Sequence, residues 1–341
     1  MNGSHESIEP RKSHGWLIFL IIILILALAG TIGWWWYSKN KNSPINTSST
    51  PSTATTENST PAKDNWVRDA TFVMKSTTST CTVKLDDGTL RMYLMKDGKI
   101  VYQDSADGKS YGTPVASGIT QDSGMFVSNP AVLKIANGKW IMVYEQMPTP
   151  ADAKQQPAGP ATQRNLYSAT STDGKLFTKA GVAIDSAKDD GYFASVPDLI
   201  LLPDGKIRLY YVSSGQAISS AISADSGKTW TRESGLRLSD NAVDPDVLLS
   251  TENGKTKYVM YYSVLSQTTN QIYKSTSSDG LIWQEGVGVL QPSTSSMTVI
   301  DPDVVKIVDN KYLMYFGEAS SSGTSGGSIN LYLSEMNGNI F

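Results

Sequence analysis

Ser277-Ser278-Asp279-Gly280-Leu281-Ile282-Trp283 decides how the chain is read, because it recurs. Ser105-Ala106-Asp107-Gly108-Lys109-Ser110-Tyr111 and Ser171-Thr172-Asp173-Gly174-Lys175-Leu176-Phe177 repeat it as Ser-x-Asp-Gly-x-x-aromatic. Ser223-Ala224-Asp225-Ser226-Gly227-Lys228-Thr229-Trp230 is the same turn with one residue more. Ser and Asp side chains bond backbone donors inside a tight turn, Gly supplies a positive φ, and the aromatic is free to pack between sheets. Copies recur every ~50–65 residues, the period of a propeller or array rather than of a helical solenoid.

A second repeat lies upstream of each turn. Pro130-Ala131-Val132-Leu133, Pro197-Asp198-Leu199-Ile200, Asp244-Pro245-Asp246-Val247 and Asp301-Pro302-Asp303-Val304 each lead through an Asn/Asp-containing turn into an aromatic-rich strand. A weaker copy runs from Thr80-Cys81-Thr82-Val83 to Leu90-Arg91-Met92-Tyr93-Leu94. Each is a hairpin set by its turn residues. The expectation is an all-β, five-bladed β-propeller over residues 65–341, without a convincing helix. The C-terminal Glu335-Met336-Asn337-Gly338-Asn339-Ile340-Phe341 is a degraded fifth turn, one strand short of a blade. Trp66-Val67-Arg68-Asp69 resembles Trp230-Thr231-Arg232-Glu233, so residues 66–74 are expected to supply the missing outer strand and remove an exposed edge.

Ahead of this domain the chain changes character. Residues 1–15 are a polar tail, and Trp16 to Tyr37 carries no charge over about 22 residues, enough for a helix to cross a bilayer. Trp16 and the Trp34-Trp35-Trp36-Tyr37 cluster suit the two lipid–water boundaries. Ala27-Leu28-Ala29 resembles a signal-peptidase site, but the apolar run continues past it, which favours a retained anchor. Residues 38–64 form a Ser/Thr/Pro-rich linker that cannot build a core. The layout predicts a single-pass protein of the cell membrane with the propeller outside the cell.

The net charge of −3 advertises no polyanion-binding surface, so nucleic acid is not an expected partner. The two histidines, His5 and His14, precede the apolar span, and Cys81 is the only cysteine. The folded part therefore excludes Ser-His-Asp, Cys-His and His-zinc chemistry, and Cys81 reads as a small buried apolar residue. Any proton transfer or nucleophilic attack falls to carboxylates.

Those carboxylates cluster. The aligned blade starts are Ser79 and Cys81, Asn129 and Ala131, Val196 and Asp198, Asp244 and Asp246, Asp301 and Asp303. Residues two apart share a side of a strand, so five negative charges are expected near one axis. Some must be protonated, bound to a cation or hydrogen-bonded to backbone. Glu145 and Glu318, after the second strands of blades two and five, are expected on the same face. Tyr192, Phe193 and the loop 146–165 are expected there too, with Tyr192, Phe193 and Asn129 as substrate-binding candidates. No cofactor is required, and the one ion the cluster could hold is calcium on the propeller axis.

Together these repeats resemble the five-bladed glycosidases of the arabinanase, xylosidase, invertase and levansucrase type, and the turns are similar to sialidase Asp-boxes. The resemblance implies a carbohydrate or glycan partner and hydrolysis by an Asp base in the first blade, a pKa-tuning Asp and a Glu acid starting a later blade. Asp244 and Asp301 match the Asp-Pro form of that motif. The first blade has Ser79 and Cys81 instead, and no blade begins with Glu. The candidate acids and bases are therefore Asp198, Asp244, Asp246, Asp301 and Asp303, with Glu145 or Glu318 as a further acid. The alternative is a non-catalytic propeller binding glycan or protein. Arg68, Arg91, Arg164, Arg208 and Arg232 are scattered, unlike the arginine cluster a sialidase needs.

Overall fold

The computed structural model describes residues 64–135, 138–148, 159–265, 270–320 and 329–341. The expected tail, anchor at 16–37 and linker up to residue 63 lie outside the described residues, as do Asn137 and the middle of the 146–165 loop. No helix among the described residues is long and apolar enough to cross a membrane.

The chain enters with β1 (Val67–Met74). Blade 1 follows as β2 (Cys81–Lys84), β3 (Leu90–Lys96), β4 (Lys99–Ser105) and β5 (Val115–Thr120). Blade 2 is β6 (Met125–Lys134), β7 (Trp140–Pro148), β8 (Asn165–Ser171) and β9 (Thr178–Ile184). Blade 3 is β10 (Ala194–Leu201), β11 (Ile207–Ser213), β12 (Ala217–Ser223) and β13 (Thr231–Arg232). Blade 4 is β14 (Ala242–Glu252), β15 (Lys255–Val264), β16 (Gln271–Ser277) and β17 (Val287–Leu290). Blade 5 is β18 (Met297–Val308), β19 (Lys311–Ser320) and β20 (Asn330–Asn337), with β1 paired antiparallel to β20 as its outer strand. The ring thus closes through the N-terminal strand, as the sequence predicts. A four-residue helix α1 (Ser186–Asp189), N-capped by Asp185, and a 3-10 turn (Pro160–Thr162) are departures from the all-strand expectation.

Five apolar clusters fill the spaces between consecutive blades rather than one central core. Each takes the aromatic of a repeated turn or its substitute: Tyr111, Phe177, Trp230 and Trp283, with Trp66 and Phe341 serving the space between blades 4 and 5. Burying each such side chain contributes roughly 1.5–3 kcal/mol.

The turn beginning at Ser277 shows why its residue types repeat. Ser277 Oγ accepts the Gly280 N–H at 2.9 Å, and Asp279 Oδ1 accepts the Leu281 and Ile282 N–H groups at 2.8 and 2.9 Å. Gly280 has φ +71°, and a Cβ there would lie 2.5 Å from Arg208 Nη1 and 2.7 Å from the Tyr210 hydroxyl. Those two groups arrive from the preceding blade: the Tyr210 hydroxyl donates to the Gly280 carbonyl at 2.8 Å, and Arg208 Nη1 to the Asp279 carbonyl at 2.9 Å. The turn therefore ties its blade to the one before it.

Candidate functional site

The aligned axial position of every blade is in the left-handed region: Ser79 (φ 52°), Asn129 (50°), Val196 (43°), Asp244 (55°) and Asp301 (53°). In blades 2 to 5 a proline follows and the pairing register slips at the same point. Proline offers no N–H to the ladder, so a bulge is where a sheet tolerates it. The bulge turns two rings of side chains toward the axis. The upper ring is Ser79, Asn129, Val196, Asp244 and Asp301. The lower ring is Cys81, Ala131, Asp198, Asp246 and Asp303. A cavity of about 40 Å³ lies on the axis, walled by the upper ring, by Cys81, Ala131, Asp198 and Asp246 of the lower ring and by the intervening prolines. That volume admits a few water molecules, and it is far below the several hundred Å³ of a typical ligand pocket.

The structure brings the five axial aspartates together and gives each a hydrogen-bonded role between blades. Asp198 Oδ2 accepts the Val247 N–H at 2.9 Å, and Asp246 Oδ2 accepts the Val304 N–H at 3.2 Å. Asp303 Oδ1 accepts the Thr82 N–H at 3.0 Å, while its Oδ2 accepts the Thr80 and Thr82 hydroxyls at 2.7 Å each. In blade 1 Cys81 takes the same position, its Sγ accepting the Val132 N–H at 3.2 Å. Cys81 is thus a half-buried cavity residue with a hydrogen-bonding task, which corrects its reading as a merely apolar filler. In the upper ring Asp301 Oδ2 accepts the Thr78 and Ser79 hydroxyls at 2.5 and 2.8 Å, and the Asp301 N–H donates to Ser263 Oγ at 3.2 Å.

Burial raises the pKa of all five carboxyls above the usual range, with Asp198 pushed up to about 7. Charge repulsion adds to this, Asp198 and Asp303 acting on Asp246, and Asp301 on Asp244. Asp244 and Asp301 are in hydrogen-bonding contact and titrate as a pair, with Asp244 raised further because Asp301 holds two hydroxyl donors. Among the described residues no group of three or more His, Cys, Asp or Glu is arranged to hold a metal ion.

Glu145 and Glu318 both stand at the ends of their second strands beside the blade starts, paired with Ser128 and Val299, but they lie on opposite sides of their sheets. Asp303 pairs with Tyr315 and Ala131 with Val143, which places Glu145 two residues beyond its reference and Glu318 three beyond its own. An odd step turns the side chain to the opposite side of the sheet. Glu145, fully buried, faces blade 3: it accepts from Asn129 Nδ2 at 2.6 Å, Ser195 Oγ at 2.5 Å and Arg164 Nη1 at 3.3 Å. Glu318, 2% exposed, faces the other way and binds Arg68 Nη1 at 3.1 Å and the Ser293 N–H at 2.6 Å. Neither glutamate walls the axial cavity.

Asn129 lines the cavity, whereas Tyr192 and Phe193 stand outside its wall. Tyr192 is half-buried with φ +67°, and the Arg164 guanidinium lies 4.8 Å over the Phe193 ring. The arginines partnering both glutamates, Arg164 and Arg68, were not legible as site residues. Arg68 also lies 4.8 Å over Phe316, so each Glu–Arg pair carries an aromatic under its guanidinium. Ser195 and Ser263 were missed as well, since serine in a strand carries no distinguishing signal.

The chain matches no known protein-family model and no curated protein. Solved structures do resemble it. The α-L-arabinofuranosidase of Lactobacillus brevis superposes with a TM-score of 0.61 at 12% identity, covering 79% of this chain and 92% of that one. The fold is that of the five-bladed propeller glycosidases. An endo-arabinase of Bacteroides thetaiotaomicron gives 0.57 at 12% identity over 82% and 99% of the two chains. An exo-1,5-α-L-arabinanase from a bovine ruminal metagenomic library gives 0.55 at 14% over 79% and 95%. Carbohydrate-active propellers are thus what this chain is similar to.

Proposed function

We propose that this chain is a glycosidase-type propeller that binds carbohydrate at the upper-ring end of its axis without hydrolysing it. The observation that carries this reading is the use of the axial aspartates. All five serve as acceptors for donors or partners in the adjacent blade, around a cavity too small for a sugar ring. The first blade offers Ser79 where the resemblance calls for an Asp base, and no blade begins with the Glu it calls for. Carbohydrate as the partner class rests on the structural neighbours, which are arabinofuranosidases, arabinanases and other glycoside hydrolases. Asn129, Tyr192, Phe193 and Arg164 supply the amide, aromatic and guanidinium groups with which a sugar is held. The apolar span at 16–37 and the Ser/Thr/Pro-rich linker after it support a single membrane anchor with the propeller outside the cell.

One observation favours hydrolysis as a second reading. Asp244 and Asp301 both line the cavity, and burial raises both carboxyls, which suits one of them to give a proton to a bound glycoside. Titration calorimetry of the detergent-solubilised chain with arabino-, xylo- and galacto-oligosaccharides, with and without calcium, tests the binding claim. Saturable binding weakened at least about tenfold by Phe193→Ala or Asn129→Ala is expected. Absence of binding to every oligosaccharide by a folded protein would overturn it.

A further inference from the structure

The blades are joined by two repeated fasteners on the same side of each sheet. One is the lower-ring side chain accepting an N–H of the next blade. The other is the tyrosine paired across from it, whose hydroxyl donates to a turn carbonyl of the next blade. Blade 1 offers Cys81 and Tyr93, the latter bonding the Gly174 carbonyl at 2.5 Å. Blade 3 offers Asp198 and Tyr210, and blade 5 Asp303 and Tyr315, the latter bonding the Gly108 carbonyl at 2.8 Å. In blade 4 Asp246 is joined by Tyr261, whose hydroxyl bonds the Asp64 carboxylate, which is also paired with Lys274 Nζ at 2.6 Å. Asp64 thereby replaces the turn that is degraded in blade 5.

Blade 2 has neither fastener. Its two positions are Ala131 and Val143, whose side chains hold no polar atom. Ala131 thus offers no acceptor to the Leu199 N–H, the counterpart of the Val132, Val247, Val304 and Thr82 amides bonded at the other seams. What remains between blades 2 and 3 is non-directional packing among Ala131, Ile141, Val143, Leu199, Leu209 and Trp230, the backbone bonds and ring contact that Arg164 makes with Tyr192, Ala194 and Phe193, and the Glu145 cluster. Glu145 lies two residues beyond Val143, the position at which Ser263 of blade 4 accepts the Asp301 N–H. Its bond to Ser195 crosses the seam, and Arg164, beside it, exchanges backbone hydrogen bonds with Tyr192 and Ala194.

We propose that Glu145 is the fastener of this seam, and that parting of blades 2 and 3 at Glu145 is what admits a ligand to the axial cavity. The edges of the seam are Asn129 and Val196, both cavity-wall residues, and Asn129 is itself held by Glu145. Release of Glu145 from Ser195 frees the Val196 edge while Asn129 stays with Glu145, enlarging a cavity that is too small when shut. The ligand half of this proposal rests on the carbohydrate reading; the seam half does not.

Hydrogen exchange of the full chain, measured without ligand, separates the two halves. Amides of Val132–Leu133, Val143–Glu145 and Ser195–Leu199 are expected to exchange about tenfold faster than their counterparts between blades 3 and 4 or 5 and 1. Glu145→Gln, which keeps the side-chain shape, is expected to raise exchange by a further several-fold at this seam alone. Ala131→Asn, which supplies an uncharged acceptor for the Leu199 N–H, is expected to slow it. Uniform exchange across the five seams in the wild type, or a Glu145→Gln effect spread over all blades, would overturn the seam. Seam behaviour as expected, but with an oligosaccharide affinity that Ala131→Asn leaves unchanged, would overturn the gating role and leave the binding reading standing.

Discussion

The seam between blades 3 and 4 and the seam between blades 2 and 3 are built from the same material and held differently. Both bury aliphatic and aromatic side chains, with Trp283 in one and Trp230 in the other. At the first, Asp198 and Tyr210 add directed bonds to Val247 and Gly280. At the second, Ala131 and Val143 add none, and the side-chain contacts are the Glu145–Ser195 bond and the Arg164 guanidinium over Phe193. In a propeller the repeated turn does more than reverse the chain. It offers a carbonyl to the neighbouring blade, and a seam without its tyrosine or its aspartate keeps the shape but loses the directed contacts.

The largest effect that sharpens this contrast is the response to pH. An unfolded Asp titrates near 3.8, whereas folded Asp198 titrates at about 7. Between those values the folded state holds the extra proton, so stability is greater at low pH and declines as pH rises through about 7. Asp198 alone corresponds to at most about 4 kcal/mol across that window. Below it the trend reverses, because the turn carboxyls Asp107 and Asp225, lowered to about 2 by hydrogen bonds from their own turns, must be protonated. Urea unfolding followed from pH 4.5 to 8 is expected to show midpoints falling with pH; rising midpoints would break the account of the axial ring.

Removing a fastener should cost less than that. Asp303→Ala leaves the Thr82 N–H and two threonine hydroxyls without their acceptor, and is expected to destabilise by about 3 kcal/mol at pH 5 in the same assay. Tyr210→Phe abandons the buried Gly280 carbonyl and is expected to cost about 1.5 kcal/mol. Smallest is Ala131→Asn, which adds at seam 2–3 what its neighbours already have and is expected to stabilise by about 0.5–1 kcal/mol. Equal losses from Tyr210→Phe and from Val143→Ala would show that packing, not the directed bond, distinguishes the seams.

The fold was legible because each repeat carries its own local instructions. Ser, Asp and Gly at fixed offsets make the turn, and an Asn- or Asp-containing turn sets each hairpin, all within a few residues. Even the closing strand could be read, since Trp66-Val67-Arg68 copies Trp230-Thr231-Arg232. The axial clustering of the aspartates followed from alignment alone. Their partners did not: Asp303 reaches Thr82 across 221 positions, and nothing local to either residue announces it. The opposed faces of Glu145 and Glu318 depend on counting register from a bulge, where a single residue inverts the answer. Arg164 and Arg68 look like ordinary strand-edge arginines until the fold sets each beside a buried glutamate.

The most direct test of the central claim, that the axial aspartates hold the blades rather than cleave a substrate, is a hydrolysis assay. The full chain in detergent would be assayed on aryl glycosides and on arabinan, xylan and galactan, beside Asp244→Asn and Asp301→Asn. The account predicts no turnover by the wild type, with both variants shifting only the unfolding midpoint. Turnover by the wild type that either substitution abolishes, with the fold intact, would contradict it and make the Asp244–Asp301 pair a catalytic centre.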